Sequence, residues 1–270
     1  MPALGSLLEF RCALITGASS GLGLEYARQL APCAETLILV ARREQLLEKI
    51  ATDLVASFPN LRIKIFASDL VRDTERDRLI NSLSQAGLSP DLLINNAGMG
   101  DYGEFRSSNW SKIEQMIRLN MEALTHLTHA LLPGLIECQG AILNVSSLAS
   151  VLPIPDFAVY SATKAYVTSF SEALRLELSD QGVRVLAVCP GPVKTGFGEI
   201  ARRGSSGKLP VQESFYVPAD KVVRDSLRAL RLNRPRIYPG LKVAAAAAVI
   251  GLLPIAAIRL LMSSRPRRSD

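Results

Sequence analysis

Histidine and cysteine are scarce in this 270-residue sequence. His126 and His129 are its only histidines, and Cys12, Cys33, Cys138 and Cys189 are scattered with no C-x-x-C pair. A zinc site is therefore poorly supported, and no metal is expected. Free, mostly buried thiols in a reducing, cytoplasmic setting are the simplest reading. An N-terminal secretion signal is not expected. Leu4 to Phe10 is too short for one, already contains Glu9, and is followed directly by Arg11. Disorder and a fibrous fold are excluded by composition, which is 48% hydrophobic and 21% charged, with 18 Gly and 15 Pro.

The net charge of +6 is uneven. From Arg224 to Asp270 there are ten Lys or Arg and two Asp, leaving 21 basic and 23 acidic residues in the rest. A near-neutral body gives no sign of a nucleic-acid surface, whereas a basic end is a solvated surface or meets an anionic membrane.

Short apolar runs alternate with amphipathic stretches. Strands are expected at Cys12–Thr16, Thr36–Ala41, Arg62–Ala67, Asp91–Asn95, Ala141–Ser146 and Val183–Cys189, with a short one at Arg236–Tyr238. Helices are expected at Leu22–Leu30, Glu44–Phe58, Asp73–Ala86, Phe157–Ser179 and Ala219–Leu232. A long one, Trp110–Leu135, is perturbed near its end by Pro133. This alternation predicts an α/β fold, a single doubly wound parallel sheet of Rossmann type with helices on both faces. One Rossmann-type domain is expected over 1–240, with 241–270 an apolar helix and a basic tail that packs on the domain or associates with a membrane. Gly196–Pro218 is irregular and long enough for a lid over a cleft.

Thr16-Gly17-Ala18-Ser19-Ser20-Gly21-Leu22-Gly23 lies between the first strand and the first helix. Glycines there permit a tight turn and close approach to a phosphate at a helix N-terminus. The G-x-x-x-G-x-G spacing resembles the short-chain dehydrogenase/reductase family. Further motifs carry the resemblance: Asn95-Asn96-Ala97-Gly98, then Ser147 thirteen residues before Tyr160, then Tyr160-x-x-x-Lys164, then Pro190-Gly191-Pro192-Val193-Lys194-Thr195. It covers roughly Phe10 to Tyr238. Leu22, where isoleucine is frequent, is a conservative departure.

Tyr160 and Lys164 share one helix face by their spacing. An ammonium beside a phenol lowers the phenol pKa, so Lys164 is expected to bring Tyr160 toward working pH as acid/base. The resemblance implies that Ser147 polarises the substrate oxygen, with Ser146 as a neighbour that could be confused with it. It further implies that Lys164 holds the nicotinamide ribose and that Asn120 supports a water-mediated proton path. One Asn in a long helix is otherwise often a packed polar group. The cofactor is implied to rest on Gly17, Ser19, Ser20, Gly21, Leu22 and Gly23, on Asn96, Ala97 and Gly98, on Pro190, Val193 and Thr195, and on Tyr160 and Lys164. Asp69 matches the residue that contacts adenine.

Enzymes of this type that use NAD place a carboxylate at the end of the second strand. Val40-Ala41-Arg42-Arg43 has none, and a guanidinium at Arg42 suits a 2′-phosphate, which predicts NADP(H). The alternative is that Arg42 and Arg43 are the solvated start of a helix.

The expected function is hydride transfer between NADP(H) and a carbonyl or alcohol. The apolar end makes a lipid-like substrate plausible. A silent nucleotide sensor and a membrane-bound scaffold are the competing classes, and the intact Ser147, Tyr160 and Lys164 argue against the sensor. The family implies a homo-oligomer. For Leu241–Met262, whose longest uncharged run is Val243–Ile258, three readings stand open: a helix packed on the domain or a dimer contact, a monotopic membrane anchor, or a spanning helix, which needs about twenty apolar residues.

Overall fold

The computed structural model describes residues 10–201 and 215–263. Seven parallel strands form one sheet in the order β3-β2-β1-β4-β5-β6-β7. They are β1 (Cys12–Thr16), β2 (Thr36–Ala41), β3 (Arg62–Ala67), β4 (Leu92–Asn95), β5 (Ala141–Val145), β6 (Arg184–Val188) and β7 (Arg236–Ile237). All six positions of β2 are buried, because helices cover both faces of a central parallel strand. At the edge, β3 alternates and keeps Lys64 exposed, which blunts an open strand edge.

The helices are α1 (Gly21–Leu30), α2 (Glu44–Ser57), α3 (Asp73–Gln85), α4 (Trp110–Ile117), α5 (Leu124–Glu137), α6 (Ala158–Glu177), α7 (Phe197–Ala201), α8 (Ala219–Arg231), α9 (Leu241–Leu252) and α10 (Ile255–Ser263). One core layer gathers Tyr26, Leu30, Leu47, Leu227 and Leu230 against one sheet face. The other gathers Leu79, Leu83, Leu127, Leu135 and Leu174 against the opposite face. The strand order reverses between β1 and β4, and a crevice at the C-terminal ends of strands arises there.

Three local expectations are corrected. The long helix is interrupted at Arg118–Ala123 by a π-helical turn, while Pro133 lies inside α5, which continues to Glu137. Leu241–Met262 is two helices bent by 118° at Leu253-Pro254, and neither is long and apolar enough to cross a membrane. The thiols are free, but only Cys189 is buried; Cys12 and Cys33 are half-buried and Cys138 is exposed. Most of the expected lid, 202–214, lies outside the described residues, and its start forms α7.

Candidate active site

The glycine turn is built by contacts with the end of β4. Gly17 adopts φ +66°, a left-handed conformation that favours glycine. Thr16 Oγ1 accepts hydrogen bonds from the N–H groups of Asn96 and Ala97, both at 2.9 Å, and Asn96 Nδ2 donates to the Thr16 carbonyl at 2.8 Å. A Cβ on Gly23 would stand 2.3 Å from the Gly17 carbonyl oxygen and 2.6 Å from Asn96 Nδ2. Bare glycine thus lets α1 begin directly on the turn. Gly21, at φ +57°, faces Thr195, so the first glycine motif and the Pro190–Thr195 segment meet. Val193 pairs with Val217, and Leu22, Leu148 and Val193 pack in one apolar cluster.

Arg42 and Arg43 are both exposed, and Arg43 turns back and donates from Nη2 to Ser19 Oγ at 2.9 Å and Ser20 Oγ at 3.0 Å. A guanidinium and two hydroxyls therefore converge beside the helix N-terminus, a donor set suited to a phosphate. Asp69, just after β3, accepts from the Val71 N–H at 3.3 Å.

Ser147 follows β5 in extended conformation, and its Oγ accepts from the Ala149 N–H at 3.1 Å. Its side chain is also near enough to the Tyr160 phenol to oppose a rise in that group's pKa. Ser146 points elsewhere, donating to the Lys164 carbonyl at 2.8 Å and meeting Thr168 at 2.7 Å. Lys164 is buried, and its Nζ donates to the Val145 carbonyl at 2.8 Å while lying 5.8 Å from the Tyr160 ring centre. Gly98 runs past this ammonium; a Cβ there would stand 3.4 Å from Nζ and 3.2 Å from Asn120 Oδ1.

Asn120 sits in the π-helical turn, a feature frequent at functional sites. Its Oδ1 accepts from the Met99 N–H, and its Nδ2 donates to the Met99 carbonyl and to Thr163 Oγ1. Thr163 in turn donates to the Tyr160 carbonyl at 2.8 Å. Asn120 thereby joins the segment after Gly98 to α6.

The expected pKa order is corrected. Burial pushes the Tyr160 phenol up to about 12, opposed by the nearby Ser147 side chain. Burial also pushes Lys164 down to about 8. Burial dominates the phenol despite the shared helix face with Lys164.

That enclosure comes from aromatic residues the sequence did not single out. Phe157 stacks on Tyr160 with ring centres 4.3 Å apart, and Phe197 of α7 lies 5.7 Å from it. Met99, Met116, Ala149, Ile154 and Val159 complete the apolar packing. A cleft with about 310 Å³ of empty space shares Met116 and Val159 with this packing, but Ser147, Tyr160 and Lys164 do not line it. Among the described residues no cluster of His, Cys, Asp or Glu could hold a metal.

Comparison with known proteins places this arrangement. A family model described as short chain dehydrogenase matches residues 11–205. The chain is 33% identical over 216 residues to a very-long-chain 3-oxoacyl-CoA reductase of Bos taurus, covering 78% of this chain and 68% of that protein. It is 34% identical over 232 residues to a protein of the same description from Neurospora crassa, covering 84% and 67%. Among solved structures, a short-chain dehydrogenase from Sphingobium yanoikuyae in complex with NADPH superposes with a TM-score of 0.79 at 32% identity, covering 96% of this chain and 98% of that one. A bulky-bulky ketone specific alcohol dehydrogenase from Comamonas testosteroni superposes at 0.75 with 28% identity, covering 97% and 98%.

Proposed function

Because the chain belongs to the short-chain dehydrogenase family, an oxidoreductase family, we propose that it transfers hydride between NADP(H) and an apolar carbonyl or alcohol. The observation that carries this reading is the meeting of Ser147, Tyr160 and Lys164 at the C-terminal end of β5, beside the glycine turn.

The residues fit a phosphorylated dinucleotide. Gly17 and Gly23 leave a cradle that a Cβ would fill, and Arg43 with Ser19 and Ser20 offers donors for a 2′-phosphate where NAD enzymes need a carboxylate. Arg42, exposed at the same corner, adds a second positive charge. Binding of NADPH by the Sphingobium yanoikuyae protein supports the choice. In this reading Gly21, Leu22, Asn96, Ala97, Gly98, Pro190, Val193 and Thr195 would hold the rest of the cofactor toward Lys164, and Asp69 would contact its adenine.

When bound, NADPH supplies the hydride that forms the new C–H bond at the carbonyl carbon. Tyr160 gives its phenolic proton to the carbonyl oxygen, which becomes the hydroxyl. A phenol held near 12 stays protonated at neutral pH and so keeps that proton ready for reduction. Ser147 hydrogen-bonds the same oxygen and stabilises the charge that develops there. Lys164, still largely cationic at neutral pH, favours the phenolate left behind. Asn120 holds the Met99 and Thr163 sides of the site together and supports return of the proton through water. Phe157, Phe197 and Met99 make the wall apolar, and the very-long-chain specificity in the relatives' names supports a lipid-like substrate. Homo-oligomeric assembly and a cytoplasmic site with Leu241–Ser263 at a membrane belong to the same reading.

Its test is NADPH oxidation by the full chain against ketones and aldehydes of increasing chain length, with NADH in parallel. Rates should rise with apolar length and be much lower with NADH. Equal use of both cofactors refutes the phosphate assignment, and no turnover of any carbonyl refutes the reductase.

A further inference from the structure

We propose that α9 and α10 form a face that lies in the plane of an anionic lipid bilayer, and that carbonyl substrates dissolved in that bilayer reach the segment carrying Ser147 from it. The second half rests on the reductase reading; the first does not.

Exposed apolar surface is concentrated here. Of the thirteen large hydrophobic side chains exposed among the described residues, six lie between Leu241 and Leu261. Leu252 is 86% exposed and Leu260 is 73% exposed. Exposed apolar side chains concentrated in one segment in this way mark a contact with lipid or protein. Neither helix is long enough to cross alone: twelve and nine residues reach about 18 and 14 Å, short of a hydrocarbon core of about 30 Å, and only the bent pair taken together has the length and composition of a broken span. The 118° bend instead lets each helix rest along a surface.

Charge selects the occupant. From Leu241 to Ser263 the only charged residues are Lys242 and Arg259, both exposed, and the sequence continues with Arg265, Arg267 and Arg268. Apolar side chains flanked by cations alone match acyl chains under anionic headgroups. In a two-fold contact with a second copy, the same cations would face a patch carrying no acidic residue.

The buried ridge of α9 explains why this face matters for chemistry. Val243 and Ala247, one turn apart, point inward. A Cβ on Gly191 would stand 2.7 Å from Val243 Cγ2, and Val243 packs in one cluster with Leu148 and Val193. Leu148 follows Ser147. One helix of about 10 Å diameter therefore separates lipid from the segment carrying Ser147.

The experiment is sedimentation of the full chain with phosphatidylcholine vesicles, with and without phosphatidylglycerol, followed by kinetics on the same vesicles. The chain should sediment with the phosphatidylglycerol vesicles, and Leu252→Asp with Leu260→Asp should weaken this by about tenfold or more. Those vesicles should lower the apparent KM for a long-chain ketone and leave that for a short soluble ketone unchanged. A chain that stays in the supernatant overturns the bilayer face whatever its activity. Equal binding without phosphatidylglycerol overturns the anionic preference. A wild-type dimer that the double substitution converts to monomer, seen by light scattering, assigns the face to a second copy. Sedimentation with an unchanged KM overturns only the entry route.

Discussion

Arg43 Nη2 stands 2.9 Å from Ser19 Oγ and so ties the end of β2 to the glycine turn. The contact places the Arg43 guanidinium on the side of the turn that the proposed cofactor phosphate would meet.

Arg43→Ala is expected to raise KM for NADPH about 10- to 100-fold, the worth of one or two charge-assisted hydrogen bonds. KM for NADH should hardly move. Arg42→Ala, at a side chain that does not share Arg43's bonds to Ser19 and Ser20, should change KM for NADPH less. Steady-state kinetics with both cofactors decide between them, and a larger effect at Arg42 returns the assignment to that residue.

Tyr160→Phe is expected to lower kcat by about 10²- to 10⁴-fold, the usual contribution of a positioned proton donor. Ser147→Ala should cost about 10²- to 10³-fold in kcat, as for one donor to a developing oxyanion. Binding of NADPH, followed by its fluorescence, should persist in both. If Ser146→Ala proves as damaging to kcat as Ser147→Ala, with folding intact, the assignment of the substrate-facing serine is wrong.

How much of this was legible in the sequence follows from what kind of contact each feature rests on. The bounds of β1, β2 and β3 were read as found, because an apolar run between turn residues is a local signal. The motif order likewise placed Ser147 and Tyr160 at the end of β5. The π-helical turn at Arg118–Ala123 was not legible, since one residue added to a single turn barely disturbs apolar spacing. Arg42 and Arg43 could not be separated, because the backbone's exit from β2 decides which side chain turns back. Helical spacing put Lys164 beside Tyr160 but could not reveal how deeply the fold buries both. Phe197 reaches Tyr160 from far along the chain, so only the fold brings them together.

Gly23→Ala should destabilise the fold by about 1–3 kcal/mol, as overpacking does. The added Cβ would meet the Gly17 carbonyl and Asn96 Nδ2, both held in place by the β1–β4 contacts. Urea unfolding of the cofactor-free chain measures it directly. An unchanged midpoint means the turn can open, and the tight cradle is then not built in.

Lys164 gives a signed pH dependence of stability. Its pKa falls from 10.5 to about 8 on folding, so between these values the unfolded chain binds more protons than the folded one. Stability from this group therefore rises with pH from about 8 toward 10.5 and is flat below 8. Lys164→Met removes the effect. The difference in unfolding free energy between wild type and Lys164→Met should shift in favour of wild type as pH goes from 7 to about 10. Cys189 interacts electrostatically with Lys164, so the two proteins are compared in a Cys189→Ser background, and the remaining thiol titrations are common to both and cancel in the difference. A difference independent of pH means the ammonium is not penalised by burial.

Phe157 should control the Tyr160 pKa through burial. Its ring stacks on the phenol at 4.3 Å and is itself held by an edge contact from Tyr102 at 5.5 Å. Burial is the largest cause of the rise to about 12, so Phe157→Ala should admit water and bring the phenol down toward 10. Phe157→Leu keeps much of the apolar cover and should move it less. Ultraviolet difference titration of each variant, with the Tyr160→Phe version of the same variant subtracted, isolates this phenol from the other five tyrosines. The loss of stability should be modest, about 1–2 kcal/mol, because Phe157 is only half-buried. If the phenol titrates unchanged in Phe157→Ala, α7 and Met116 already exclude water, and Phe197 becomes the residue that sets the proton affinity of Tyr160.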